Sequence, residues 1–319
     1  MLHIRVVCPP GTTDAAVELL VSEPGATLVS VQRGSAVEPV GDVVECAVAR
    51  ESGNAVLAGL RGLGIKHSGG IAIDPLETVL SDAAERAVRT APGDPSDVVV
   101  WEELIAQTHD ESTLSPTFLA FITIACLLAV VGVATDSPVT IVGAMVVGPE
   151  FGPLAAISVA LVRKDFRLAR RSALALLVGF PLAMAVAAAV SLVWERFGWI
   201  TVRGIEDLHN VDFIYEVGPF SLVVALLAGA AGMLSLVTAK SAALVGVFIS
   251  VTTIPAAGFA AVAATLGEWH KAFMSIGQLG VNMVGIVVAG VLVLWLRPRR
   301  AGEGGPVDRV RNWWLSDAT

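Results

Sequence analysis

Glu150 is the residue in this chain whose type and setting most directly suggest chemistry. It stands in GAMVVGPEFGPLAA, positions 143–156, and is the sole charged side chain within six long apolar stretches of the second half. A charge at the middle of a bilayer costs at least roughly 2.5–3.5 kcal/mol on insertion scales. A carboxyl held there needs a proton or a cation, so Glu150 is a candidate for binding one of these along a polar pathway. The plainer alternative is a protonated carboxyl hydrogen-bonded to its neighbours, or one lying nearer the surface. Around it Gly148, Pro149, Gly152 and Pro153 are helix-break residues, because each proline removes a backbone N–H and each glycine lets the chain turn. A second interruption, TTIPAAG, sets Thr252 and Thr253 before Pro255, and Gln278 and Asn282 follow a turn apart on the last apolar stretch. These four are further transport or ion-binding candidates, although interhelical hydrogen bonding explains any one of them singly.

Other chemistry finds little support. There is no H-E-x-x-H, Gly-x-Ser-x-Gly or phosphate loop, and a lone carboxylate lacks the second group that acid–base catalysis uses, so an enzyme is not expected. Cys8, Cys46 and Cys126 have neither metal nor disulfide spacing and read as small buried hydrophobes. No cofactor and no metal site is expected. Residues 1–115 hold 17 acidic and 7 basic side chains, a net −10 that disfavours nucleic acid as a partner.

The elements that must position Glu150 are membrane spans. The 319 residues are 55% hydrophobic and only 16% charged, with a mean hydropathy of +0.73, whereas soluble domains carry about 25% charged residues. The stretches Phe118–Thr135, Pro138–Val162, Ser172–Trp194, Phe220–Ala239, Ser241–Leu266 and Phe273–Leu296 each approach the roughly 20 residues that cross a bilayer. Arg163, Lys164, Arg167, Arg170 and Arg171 lie between the second and third stretches, and Arg297, Arg299 and Arg300 follow the last. The positive-inside rule then puts both termini in the cytoplasm and the Glu195–Gly218 connection outside.

Sliding this half against itself by 103 residues pairs LAFITIACLLAVVGVAT from Leu119 with LVVALLAGAAGMLSLVT from Leu222, Gly143 with Gly246, and Gly179 with Asn282. Three spans per copy make the second copy enter from the opposite side. The expected architecture is therefore a 3+3 inverted repeat whose broken helices meet at the site, as in many transporters. Asp136 and Lys240 stand near matching ends of the two repeats and, if in connecting turns, are solvated on opposite sides and cannot pair, and Gly229–Gly232 is a small-residue packing surface.

Ahead of the spans the pattern is that of a small α+β domain. Leu2, Ile4, Val6 and Cys8 alternate as a strand, and Thr12 or Thr13 begins a helix through Ala16, Leu19 and Leu20. Ala26–Val31 and the Val44, Cys46, Val48 alternation are strands two and three; a helix capped by Ser52 carries Val56, Leu57, Leu60 and Leu63; Ile71 and Ile73 mark strand four. The order is βαββαβ, the ferredoxin-like split, a fold that many unrelated functions share. Pro10–Thr13 offers N–H groups to an anion, with an ordinary capped turn as the favoured reading. No basic leader opens the chain, so no signal peptide is expected. The predicted division is residues 1–75 ferredoxin-like, 76–115 a helical linker, 116–296 transmembrane with repeats at 116–194 and 219–296, and 297–319 a cytoplasmic tail.

DSPVTIVGAMVVGPEFGPLAAISVAL resembles the first signature of the bacterial membrane family catalogued as domain of unknown function 389, a G-A-M turn followed by P-x-x-G-P. GVFISVTTIPAAG, 246–258, is similar to its second signature, with Pro255-Ala256 where the family usually has two prolines. Asn282 matches an asparagine common in its last span, whereas Glu150 replaces a residue that is usually apolar. The resemblance implies a bacterial inner membrane protein and brings no established activity. The function expected from the residues is a transporter or channel-like protein for an ion or small solute, with a cytoplasmic regulatory or oligomerisation domain. The alternative is a membrane-anchored sensor or scaffold. The bilayer and further copies of the chain, as a dimer or trimer, are the expected partners.

Overall fold

In a computed structural model, residues 1–76, 78–91, 99–200, 218–238, 247 and 251–296 are described. The chain forms two compact units, Met1–Glu103 and Leu104–Leu296.

The first unit is a four-stranded antiparallel sheet carrying helices. β1 (Leu2–Cys8), α1 (Thr13–Ser22), β2 (Ala26–Val37), β3 (Val40–Val48), α2 (Arg50–Gly62), a one-turn α3 (Ile65–Ser68) and β4 (Gly70–Pro75) follow in order. The sheet order is β2-β3-β1-β4, the split arrangement expected from the alternation. Ile4 lies opposite Cys46 on one side and Ile73 on the other. This register turns Leu2, Ile4, Val6, Val44, Cys46 and Val48 onto one face, where Ala16, Leu20, Val56, Leu57 and Leu60 close the core. Cys8, Cys46 and Cys126 are free and buried, and burial pushes the Cys46 thiol up to about 12.

Three details differ from expectation. β2 runs on to Val37 rather than stopping at Val31, and its second half is mostly exposed, so it has no apolar alternation to betray it. α2 begins at Arg50 with Ala49 as its N-cap, and Ser52 is buried inside the first turn. At α1 the hydroxyl of Thr12 donates to Pro9 O (2.9 Å) and that of Thr13 to Asp42 Oδ2 (2.7 Å). The Asp42 and Asp14 carboxylates, both paired with Arg33, already stand beside this helix start, so a free anion is not accommodated there.

After α4 (Asp82–Thr90), α5 (Trp101–Glu111) crosses the border between the units. Within the first unit Arg50 pairs with Glu103 (2.9 Å) and Asn54 donates to Val99 O (2.8 Å), fastening the start of α2 to the chain that enters α5.

Among the described residues the second unit is helical: α6 (Pro116–Ala134), α7 (Pro138–Val147), α8 (Phe151–Arg163), α9 (Phe166–Arg196), α10 (Pro219–Val237), α11 (Thr253–Thr265) and α12 (Trp269–Leu296). Ser115 and Ser137 cap α6 and α7 just ahead of a proline, and Asp165 caps α9 by accepting from Arg167 and Leu168 N–H. α6, α9, α10 and α12 are long and apolar enough to cross a membrane, and α7 with α8, bent by 50° at their junction, makes a fifth candidate. Most of Ser241–Val251, in the fifth predicted span, lies outside the described residues, and α11 is the short apolar helix that follows. Leu177, Leu227, Val284 and Trp295 are more than half exposed. An apolar outer surface of this kind is a lipid-facing one. Inside, close approaches are made by small residues: a Cβ added at Gly258 would lie 2.6 Å from that of Ala129, and one at Gly229 2.6 Å from Ile286 Cα.

Asp42 supplies a pH test of the first unit. Its carboxylate accepts Gly34 N–H (2.8 Å) and the Thr13 hydroxyl, which hold it below the usual carboxylate range. Because the folded value is the depressed one, the stabilisation is present above the unfolded value, about 3.9, and is lost as pH falls through the folded value. Hydrogen exchange at Gly34, normalised to intrinsic rates, should therefore accelerate below that range, and Asp42→Asn should abolish the step.

Candidate functional site

The site is built by two helices that begin in the interior of the second unit. α7 and α8, about 15 Å and 20 Å long, are together long enough to cross the roughly 30 Å of a hydrocarbon core, with their junction inside the helical unit. Gly148 ends α7, and Glu150 is the N-cap of α8. A side chain at Gly148 would run into Glu150 Oε2 and Ile254 Cγ1, so any larger residue there would displace the carboxyl or Ile254. α11 begins within the interior too: Thr252 is its N-cap, and Thr253 through Ala263 are all buried. α8 and α11 are each 13 residues long and each has proline as its third residue, Pro153 and Pro255.

This corrects the reading of several break residues. Between α7 and α8 the non-helical backbone is confined to Gly148, Pro149 and the cap at Glu150. Gly152 and Pro153 lie in the first turn of α8 and Pro255 in that of α11, where no N–H has a partner within the helix and a proline starts rather than breaks it. Asp136 sits in the turn after α6 with a φ of 44°, and Lys240 lies outside the described residues.

The two helix starts are tied directly. Thr253 Oγ1 donates to Glu150 Oε1 at 2.5 Å, across 103 residues of sequence, the same separation as between the starts of α6 and α10 and between those of α9 and α12. Beside it Asn282 Nδ2 donates to Thr252 Oγ1 (2.7 Å), and Gln278 Nε2 makes a long contact to Asn282 Oδ1 (3.5 Å). All five predicted transport or ion-binding residues thus belong to one cluster. Glu150, Thr253, Gln278 and Asn282 are at most 3% exposed.

Neither N-cap side chain caps its own helix. Glu150 Oε2, Gln278 Oε1 and Ser275 Oγ have no hydrogen-bond partner among the described residues, and Glu150 makes no ion pair among them. Buried polar atoms in this state call for water or an ion. The first turns of two helices, the positive ends of their dipoles, converge on one carboxyl. Such an arrangement can tolerate a carboxylate without a lysine or arginine, and leaves one of its oxygens available to a cation. Ser275 was not singled out from sequence; its place three residues before Gln278 and seven before Asn282, on one helix face, is the signal that marks it.

Residues 145–288 match the family described as Domain of unknown function (DUF389). The chain carries a DUF389 domain. That match begins just ahead of the α7–α8 break and ends past Asn282, so the DUF389 segment contains every member of the cluster. An uncharacterized protein of Methanocaldococcus jannaschii is 23% identical over 197 residues, 61% of this chain and 58% of that protein, so the chain spans little more than half of the relative's length. This relative is archaeal, so the likeness is not confined to bacteria. No solved structure matches.

The Thr253–Glu150 bond can be weighed by mutation. Thr253→Val keeps the shape and removes the donor, so it should lower stability by about 1–3 kcal/mol, the usual effect of orphaning a buried acceptor. On a Glu150→Leu background the same substitution should change the melting temperature of the purified protein far less. Equal effects on both backgrounds would show that the bond contributes nothing.

Proposed function

We propose that this membrane protein moves an ion or small solute through the bilayer, with Glu150 as the group that binds a cation or proton along the way. The observation that carries the reading is the cluster itself. Two interrupted helices start within the interior of the helical unit, and a buried carboxyl lies at their meeting point with one oxygen unpartnered among the described residues. Backbone that is not helical at membrane depth is tolerated where it lines a polar cavity or is buried in protein. Intramembrane carboxylates mark ion and proton paths.

In this reading the unit has six spans, the fifth including α11, arranged as a 3+3 inverted repeat. Three pairings support it. α6 and α10 are both 19 residues and both open on proline; α8 and α11 share length and proline position; α9 and α12 are the long third members. α8 packs on α9 and α12, and α11 on α12 and α9, so each short helix lies against the long helices of both copies. Such reciprocal packing fits a two-fold axis in the membrane plane. Both termini are cytoplasmic by the Arg163–Arg171 cations, the membrane is a cell membrane, the residues before 104 form a regulatory or oligomerisation domain, and the protein acts as a homo-oligomer. No catalytic step is assigned.

The test is flux in sealed vesicles containing the purified protein. Glu150→Gln should abolish or strongly reduce cation or proton flux, while Glu150→Asp should retain part of it. Unchanged flux in Glu150→Gln would remove this carboxyl from the mechanism.

A further inference from the structure

Building on that reading, we infer that a small monovalent cation, hydronium or an alkali ion, reaches Glu150 from one side only, along the first half of α12. α12 spans Trp269–Leu296, so Asn282 stands at its midpoint. Lys271, Ser275, Gln278 and Asn282 succeed one another at alternating steps of four and three residues, which places them on one face of the helix. Lys271 is half-buried near the helix start, and the other three are buried inside the protein rather than turned to lipid. A lysine there fixes where this face meets water. Ser275 Oγ and Gln278 Oε1 lack partners among the described residues, and Asn282 ends the line at Thr252, next to the threonine that holds Glu150. Past the midpoint the same face continues as Gly285, Ile286 and Ala289, which carry no polar side-chain atom. A hydrated ion needs oxygen ligands in sequence, and of the two halves of α12 the first offers them.

The related helix α9 shows the contrast. The residues 103 positions earlier are Leu168, Ser172, Ala175 and Gly179. The Ser172 hydroxyl donates to Leu168 O (2.9 Å) within its own helix. Where Asn282 stands on α12, Gly179 leaves a space that the Phe118 ring fills, with Cε1 only 2.8 Å from where a Cβ would lie. The route is polar on one side of Glu150 and closed by packed apolar groups on the other.

Thiol accessibility tests this on the full chain in sealed vesicles of known orientation. Single cysteines replace Lys271, Ser275, Gln278 or Ala175, and a charged, membrane-impermeant methanethiosulfonate is added from either side. The parent chain, whose three cysteines are buried, gives the background. Ser275→Cys and Gln278→Cys should react from the side where α12 begins, at least about tenfold faster than Ala175→Cys, because a thiol reacts as the thiolate and needs water to form it. Ser275→Cys changes one atom, and reaction at Lys271→Cys confirms an assembled protein. If Lys271→Cys reacts while Ser275→Cys and Gln278→Cys stay at background, or if these two react from the opposite side, the route is overturned. Flux in the same vesicles, read with proton- and sodium-sensitive dyes, separates hydronium from alkali ion; Gln278→Leu should reduce whichever flux Glu150→Gln abolishes. One-sided labelling with unaltered flux in Glu150→Gln would sink the transport reading and leave the access route standing.

Discussion

The second unit depends on what happens when two helices begin inside an apolar medium. A helix start leaves several N–H groups without partners in the helix, and lipid offers none. α8 and α11 meet this constraint jointly. Each begins beside the other, each places a proline third so that one N–H fewer has to be satisfied, and the Thr253 hydroxyl of one holds the Glu150 carboxyl at the start of the other. Gly148 is required by the same junction, since any side chain there would occupy the place of the carboxyl. Neither break would be stable alone, because the partner atoms for each come from the other half of the chain.

The two halves are alike in geometry and unlike in polarity, and the difference is informative. Helix lengths, opening prolines and the 103-residue spacing recur, so packing demands are shared. The side chains along the two long helices are not. Asn282 and Gln278 sit where α9 has Gly179 and Ala175, and the space beside Gly179 is taken by Phe118. Packing alone would select small apolar residues at all four positions. Buried amides on α12 carry a desolvation penalty that hydrogen bonds only partly offset, and one of their oxygens, Gln278 Oε1, has no such bond among the described residues, nor has the nearby Ser275 hydroxyl. Polar groups retained against that penalty on one side only are better explained by something they bind than by the fold they sit in.

How far this was legible in the sequence varies by element, for physical reasons. β1 and β3 were readable because one face of each is buried and alternation follows. The outer half of β2 was not, since both its faces meet water and impose no pattern. Ser115-Pro116 and Ser137-Pro138 mark helix starts through a cap and a proline whose effects are local, whereas Ser52 has the same chemistry and caps nothing, because the chain had already turned at Ala49. Glu150 stood out by rarity, and the internal spacing brought it to Thr253. Pro153 and Pro255 were harder, because a proline breaks a helix from within and opens one from its first turn, and only backbone geometry tells the two apart. Ser275 escaped notice because serine is unremarkable in a small-residue-rich span. Its significance comes from the unpartnered hydroxyl, which composition does not reveal.

A continuous helix through position 150 would have satisfied its own backbone and left the carboxyl as an isolated problem. The break brings the problem and its remedy together: the positive ends of two helix dipoles lie where the carboxyl is, so an ionised Glu150 and the helix starts would stabilise one another. The charge on the carboxyl then bears on the attraction between α8 and α11, and anything that neutralises it, whether proton or cation, weakens that attraction. Because α8 packs on α12 and α11 on α9, a change at this junction reaches the long helices of both halves. A ligand shifts a conformational equilibrium only through a difference in how it interacts with the two states. On the proposed transport reading, a cation or proton at Glu150 would have such a difference, because the broken helices would couple occupancy of the carboxyl to the packing of α8 against α11, which a buried acid on a straight span would not.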